Sequence, residues 1–295
     1  VTEEKLAEHA YITSDALTGL ATEEFVNEAI EKIGFIEGIQ GSGKSTLSRE
    51  LAKRLPEFHV YHEGDISPVE LAWCSYMKKE VWEGMLQKYP TLADEIKAKT
   101  QIEREYYITA YTRIMAESRA FYEDMEAYEI YNGRVEFDFF HDVIMRRYAA
   151  FSEEGCVFEC SFFQNSMETM LLYYQLSDEE ILAFYQEAYD ILKDKGFQMI
   201  YLDSEKLREN ILQIKKERSD EQGNEMWYPL MMNYLKESPY GKAHNYQDFE
   251  DMIAHFERRR KLELEIIEKV LKNDCLILTA KEYDIEDVPI NDYRG

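Results

Sequence analysis

The chain has no apolar run near the ~18 residues that a membrane-spanning helix requires, and no signal-peptide pattern opens it. Neither a bilayer span nor secretion is expected. Internal repeats and low-complexity tracts are also missing, which speaks against a repeat architecture. Positive charge is scarce: 34 Lys and Arg stand against 59 Asp and Glu, for a net charge of −25. Such a surface repels phosphate backbones and anionic lipid, so no nucleic acid and no membrane is an expected partner. A local basic patch can still take an anion. Cysteine is sparse and scattered through apolar stretches, at Cys74, Cys156, Cys160 and Cys275. "CVFEC" reads as a strand with no second Cys/His pair beside it, so reduced buried thiols of a cytoplasmic protein are expected rather than a metal site. What is plentiful is core material. Hydrophobic residues make up 45% and aromatics 14% of 295 residues, enough for one large domain or two small ones.

The most informative stretch is "GIQGSGKST", residues 38–46. Gly38, four residues, Gly43, Lys44 and Ser45 form the pattern G-x-x-x-x-G-K-[ST]. In that pattern backbone N–H groups wrap a polyphosphate, the lysine reaches the outer phosphates and the hydroxyl binds magnesium. Gly38, Gly41 and Gly43 leave room for close approach and for φ angles that side chains resist. Ser42, Ser45 and Thr46 complete the cradle. "FIEGI" before the loop reads as a buried strand. "STLSRELAKRL" after it carries Leu47, Leu51 and Leu55 at helical spacing, and its N-terminus adds unpaired N–H groups to an anion site. The expected ligands are ATP and Mg²⁺.

Along the chain, apolar strands alternate with helices. The reading is a helical N-terminal extension over 1–33 and strands at 34–39, 58–64, 155–163, 197–203 and 274–280. Ser67, Pro68 and Glu70 form a capping box that opens a long helical insert, 66–154. A second box, "SDEE", opens a helix that stops at Gly196. A polar helix and loop occupy 204–224, followed by aromatic-rich helices to about 272. Continuous apolar strands separated by helices predict an α/β fold: a five-stranded parallel sheet, a P-loop NTPase core, covered by helices.

Ligands of such sheets bind beyond the carboxyl ends of the strands. Glu63 follows strand two and is placed to take a proton from an acceptor hydroxyl, with Asp65 as the alternative. Glu159 is a lone acid in a buried strand; holding Mg²⁺ is one reason for it, and capping a neighbouring backbone is the other. Asp203 ends strand four. After it come Arg208, Lys215, Lys216 and Arg218, either a phosphate-closing lid or a plain solvated helix. Cradle, metal, base and mobile cations are the parts of phosphoryl transfer. The insert carries Trp73, Tyr76, Trp82, Tyr106, Tyr107, Tyr111 and Tyr131 with Arg113, Arg134, Arg146 and Arg147, which serve either as core or as the pocket of a hydroxylated or anionic small molecule.

This order of P-loop, acid after strand two, "FECS", "YLD" and a basic helix resembles the nucleoside and nucleotide kinase branch of P-loop proteins. Deoxynucleoside and thymidylate kinases are nearest in layout. The resemblance covers roughly 34–65 and 155–285, and it is specific at the P-loop. It implies Glu63 as base, Glu159 as metal support, and Arg218 and Arg208 as lid arginines on the donor phosphates. The chain departs from the pattern where Cys160 replaces an arginine after the strand-three glutamate, in having no match to the base-reading glutamine, and in the length of 66–154. The expected activity is Mg²⁺-dependent transfer of the ATP γ-phosphate to a small molecule by a cytoplasmic kinase. Two alternatives stay open: a nucleotide-dependent switch that binds a protein, although no N-K-x-D motif is present, and a toxin-type sugar-nucleotide kinase. The acceptor, ATP against GTP, and oligomeric state, a homo-oligomer included, are undetermined by sequence.

Overall fold

The computed structural model of the chain describes residues 33–220 and 222–282. The expected N-terminal extension, 1–33, lies almost wholly outside the described residues. The chain divides into two compact units: one holds 33–60 and 152–282, the other Tyr61–Phe151.

The first unit is built on a five-stranded parallel sheet in the order β2-β6-β1-β7-β8. Its strands are β1 (Ile33–Gly38), β2 (His59–Tyr61), β6 (Cys156–Glu159), β7 (Phe197–Asp203) and β8 (Cys275–Thr279). β1 sits centrally, paired through Ile36 with Glu159 on one side and through Glu37 with Tyr201 on the other. Side chains alternate between the faces of a strand. Ile36, Val157, Ile200 and Leu202 therefore meet Leu47, Leu51 and Leu55 of helix α1 (Lys44–Arg54) on one face. Phe35, Phe158 and Phe197 stack on the other, with ring centroids 5.2 and 5.0 Å from Phe35. On that face the Phe162 ring lies 5.7 Å from Phe35 and the Tyr185 ring 5.2 Å from Phe162, centroid to centroid, and further helices follow along the chain. These are α7 (Asp178–Leu192), α8 (Leu207–Glu217), α9 (Trp227–Glu237), α10 (Pro239–Ala243) and α11 (Phe249–Ile266), with the short α6 (Gln164–Thr169) after β6. The capping box at Ser177 and Glu180 opens α7 as expected, and Gly196 turns the chain into β7 at φ 80°.

The second unit overturns part of the sequence reading. The insert is not wholly helical. Besides helices α2 (Lys79–Lys88), α3 (Ala93–Ala98), α4 (Arg119–Glu126) and α5 (Phe137–Ala150), it holds an antiparallel sheet of β3 (Ser75–Lys78), β5 (Tyr106–Thr109) and β4 (Thr100–Glu103). Ser67 does cap, accepting from the N–H groups of Val69 and Glu70 at 3.2 and 3.3 Å, but no helix follows. The Glu70 carboxylate turns back to the Ala72 N–H, and Trp73 takes φ 62°, a left-handed conformation that ends any helical course. Arg104, at φ 55°, makes the tight turn between β4 and β5. Tyr106, Tyr107, Ile108 and Thr109 are strand formers whose rings suggested a helical face.

Candidate functional site

The glycine-rich loop leaves β1 and feeds α1. Gly38, Gly41 and Gly43 have φ of 141°, 77° and 104°, all left-handed or beyond, so side chains are disfavoured at each. A Cβ on Gly38 would lie 2.5 Å from the Leu202 carbonyl oxygen, and one on Gly41 would run into the Ile214 side chain. The loop is thus closed on one side by β7 and on another by α8. Gly43 stands at the N-cap of α1 and takes the Leu47 N–H at 3.0 Å. Among the described residues, none accepts a hydrogen bond from the N–H of Gly41, Gly43, Lys44 or Ser45. The Lys44 ammonium, itself buried, curls back and donates to the carbonyls of Gly38 and Ile39 at 2.8 and 3.2 Å.

Glu159 ends β6 on the α1 face, the face of Val157. Ser45 donates to one carboxylate oxygen, and Ser48, one helical turn on, donates to the other at 3.0 Å. The lone acid of the sequence therefore has a structural explanation, and it lies beside the hydroxyl that the motif assigns to magnesium. Carboxylate and hydroxyl oxygens are the donors a hard divalent cation takes, so this pair fits one.

α8 and the turn after it contain the basic run. Leu207, Asn210, Ile211 and Ile214 are buried, and the three apolar ones pack in a cluster with Ile39 of the loop and with Met232, Leu235 and Phe256. Arg208 is engaged: it forms a two-pronged pair with Glu250 at 2.8 and 2.5 Å and lies over the Phe249 ring. Lys215 pairs with Glu225 and sits 4.1 Å from the Tyr228 ring centroid. Arg218, at the end of α8, is exposed and its guanidinium has no partner among the described residues. The following turn is organised by Asp220, whose side chain takes the N–H groups of Gln222 and Asn224.

The remaining candidates lie in the second unit. β2 is shorter than expected, and Glu63 and Asp65 fall in a turn beyond it. Asp65 is occupied: one oxygen pairs with Arg113 at 2.8 Å and the other takes the His62 N–H at 2.9 Å. Arg113 also donates to the carbonyls of Glu63 and Gly64. The Glu63 carboxylate accepts from the Trp73 indole N–H at 3.1 Å. Of the ring-and-cation set, Trp73 remains 44% exposed. Tyr111 and Tyr131 are core, Tyr76 stacks on Tyr106, and Arg146 and Arg147 pair with Glu103. Those residues follow the core reading.

A buried ionic cluster escaped the sequence reading. His255, Arg259 and Glu263 recur every four residues on α11, one stripe of the helix. The guanidinium of Arg259, wholly buried, donates to Glu263 at 2.6 Å and to Glu168 of α6 at 2.9 Å. His255 meets the other oxygen of Glu168 at 2.7 Å, and Tyr201 donates to Glu263 at 2.7 Å. Burial alone would raise the Glu168 pKa, but His255 and Arg259 outweigh it and hold the carboxyl down at about 2. Glu37, one residue before the loop, is the opposite case. Burial pushes it up to about 7, with Glu263 adding like charge, against the Phe162 and Phe163 N–H groups and the Lys44 charge. Polar residues at i, i+4 and i+8 in "AHFERRRKLELEI", on a helix otherwise apolar on that side, were the available signal.

The chain matches no protein-family model and no curated protein.

Proposed function

We propose that the chain is a Mg²⁺-dependent kinase that transfers the ATP γ-phosphate to a small molecule. The observation that carries this reading is the loop itself: three glycines at positive φ, N–H groups with no acceptor among the described residues, and Lys44 and the Ser45–Glu159 pair at the start of α1. A polyphosphate would replace the Gly38 and Ile39 carbonyls as partner of Lys44. Ser45 and Glu159 would hold Mg²⁺, which supplies charge neutralisation for the phosphates. Arg218, whose guanidinium has no partner among the described residues, is the better lid cation; Arg208 would first have to leave Glu250. Glu63 is the candidate base, with Asp65, held by Arg113 and the His62 N–H, as the alternative. The acceptor is a hydroxyl or a phosphate of a small molecule, nucleoside-like and nucleotide-like ones included.

The test is Lys44→Ala. Loss of the ammonium should weaken Mg-ATP binding by about 100-fold or more by calorimetry, since a charge-assisted contact to phosphate is lost with nothing to replace it. The melting temperature should also fall, because the carbonyls of the buried Gly38 and Ile39 lose their donor. Unchanged affinity for Mg-ATP sinks the reading. If the wild type binds ATP yet phosphorylates nothing in a metabolite pool, while a protein binds only its ATP-loaded form, the switch reading replaces it.

A further inference from the structure

Burying an arginine costs more than burying a leucine of similar reach, so a fully buried one needs an account. Arg259 is wholly buried, and its Nη2 has no acceptor among the described residues. Two of its other nitrogens are fixed by Glu263 and Glu168 inside the ionic cluster. One contact leaves that cluster: Nη1 donates at 3.0 Å to the side-chain oxygen of Gln40. Gln40 is a loop residue, between Ile39, whose carbonyl holds Lys44, and Gly41, whose φ is 77°. It is the one residue in 38–43 that has a long polar side chain. A loop with three glycines in six residues has a large conformational space to lose on ordering. A hydrogen bond from a charged, immobile donor to the middle of that loop removes much of that freedom beforehand. The donor is immobile because both carboxylates that grip it are themselves held, Glu168 by His255 and Glu263 by Tyr201 on β7.

We propose that Arg259 is a positioning residue of the phosphate loop: gripped by Glu168 and Glu263, it holds the Gln40 side chain and so keeps the loop in the shape that receives a polyphosphate. Ile214 closes the loop from α8, and Arg259 anchors it from α11. The inference rests on the nucleotide-binding reading above and adds a residue about 220 positions away in sequence to the binding machinery, acting without touching phosphate.

The experiment is a double-mutant cycle on Gln40→Ala and Arg259→Lys in the full chain, reading Mg-ATP affinity by calorimetry and stability by melting. Gln40→Ala leaves the ionic cluster intact, so it separates loop positioning from core integrity. It should weaken Mg-ATP about tenfold with a change in melting temperature within about 2 °C. Arg259→Lys keeps the charge but loses the Nη1 hydrogen bond to Gln40, and should weaken affinity by a similar factor. The double variant should be no weaker than the poorer single, because both remove the same contact. Wild-type affinity in Gln40→Ala overturns the proposal, as do losses that multiply in the double variant. A purely structural arginine would lower the melting temperature in Arg259→Lys with affinity untouched, which also overturns it. Absence of Mg-ATP binding in the wild type overturns the nucleotide reading and this inference together. Normal wild-type binding with an indifferent Gln40→Ala overturns the inference alone.

Discussion

Glu159 is the residue whose two sequence readings the structure brings closest to a decision. Its carboxylate takes the hydroxyls of Ser45 and Ser48 on α1, beside the position that the motif assigns to magnesium. A carboxylate used only to tie down two serines would be replaceable by an amide, because glutamine keeps an acceptor and adds a donor. A carboxylate that holds a cation would not, because the amide lacks the charge. Glu159→Gln should therefore raise the Mg²⁺ concentration needed for half-maximal turnover by about tenfold or more, in the range typical of lost metal-supporting groups. Ser45→Ala should shift the same titration, and Ser45→Thr should restore it. A Glu159→Gln protein with wild-type Mg²⁺ dependence would reduce Glu159 to a serine anchor. The acidic turn after β2 makes a comparable pair. On the kinase reading proposed above, with Glu63 as base, Glu63→Gln should cost about 10²–10⁴ in turnover with ATP affinity retained, the usual cost of a lost general base. Asp65→Asn should act on stability first, because Asp65 holds Arg113 and the His62 N–H.

Among elements, α8 is the one whose character changed most between sequence and structure. Its cations suggested a lid; its Leu207, Ile211 and Ile214 form a packed apolar face, and Ile214 stands where a Gly41 side chain would go. Loop and helix are therefore sterically coupled. Gly41→Ala should destabilise the protein and weaken nucleotide binding for two reasons, the φ of 77° and the collision with Ile214. Ile214→Ala removes the collision and leaves the φ strain. Measured by denaturant unfolding, Gly41→Ala should cost less in the Ile214→Ala background than in the wild type, by an amount on the order of 1 kcal/mol, a common size for contacting residues. Additive effects would mean that the loop and α8 move apart freely. The sheet was legible in advance because each strand is a short, continuous apolar run between helical periods; β7 appears at the expected bounds, Phe197–Asp203. The small antiparallel sheet was not, because a four-residue strand such as Tyr106–Thr109 gives too few positions for period two to stand out from helical spacing. The loop was legible because its chemistry is local in sequence. The Arg259–Gln40 contact was not, because nothing in a linear chain says which stripe of a late helix meets an early loop.

At the scale of the whole molecule, the net charge of −25 and the buried carboxyls both make stability depend on pH, and the two can be separated. Burial pushes Glu37 and Glu129 up to about 7 and Glu70 up to about 8. Each binds its proton more tightly folded than unfolded, where the value is near 4.5. The stability these groups contribute is complete below pH 4.5 and is lost as pH rises through 7 to 8. Glu168, held down at about 2, works the other way: its contribution is present above pH 4.5 and is lost only in strong acid, so it adds no slope near neutrality. Self-repulsion of the acidic surface also grows as pH rises, with the same sign. Salt tells them apart, because mobile ions screen exposed charges within about 4 Å at ~0.5 M but reach buried ones poorly. The melting temperature should fall from about pH 5 to about pH 8, and a substantial part of that fall should survive in ~0.5 M salt. Glu37→Gln should flatten the surviving slope of the parallel-sheet unit, and Glu70→Gln with Glu129→Gln that of residues 61–151. A slope that vanishes in salt, or one that persists in all three variants, would assign the pH dependence to the surface and leave the buried carboxyls ionised without consequence.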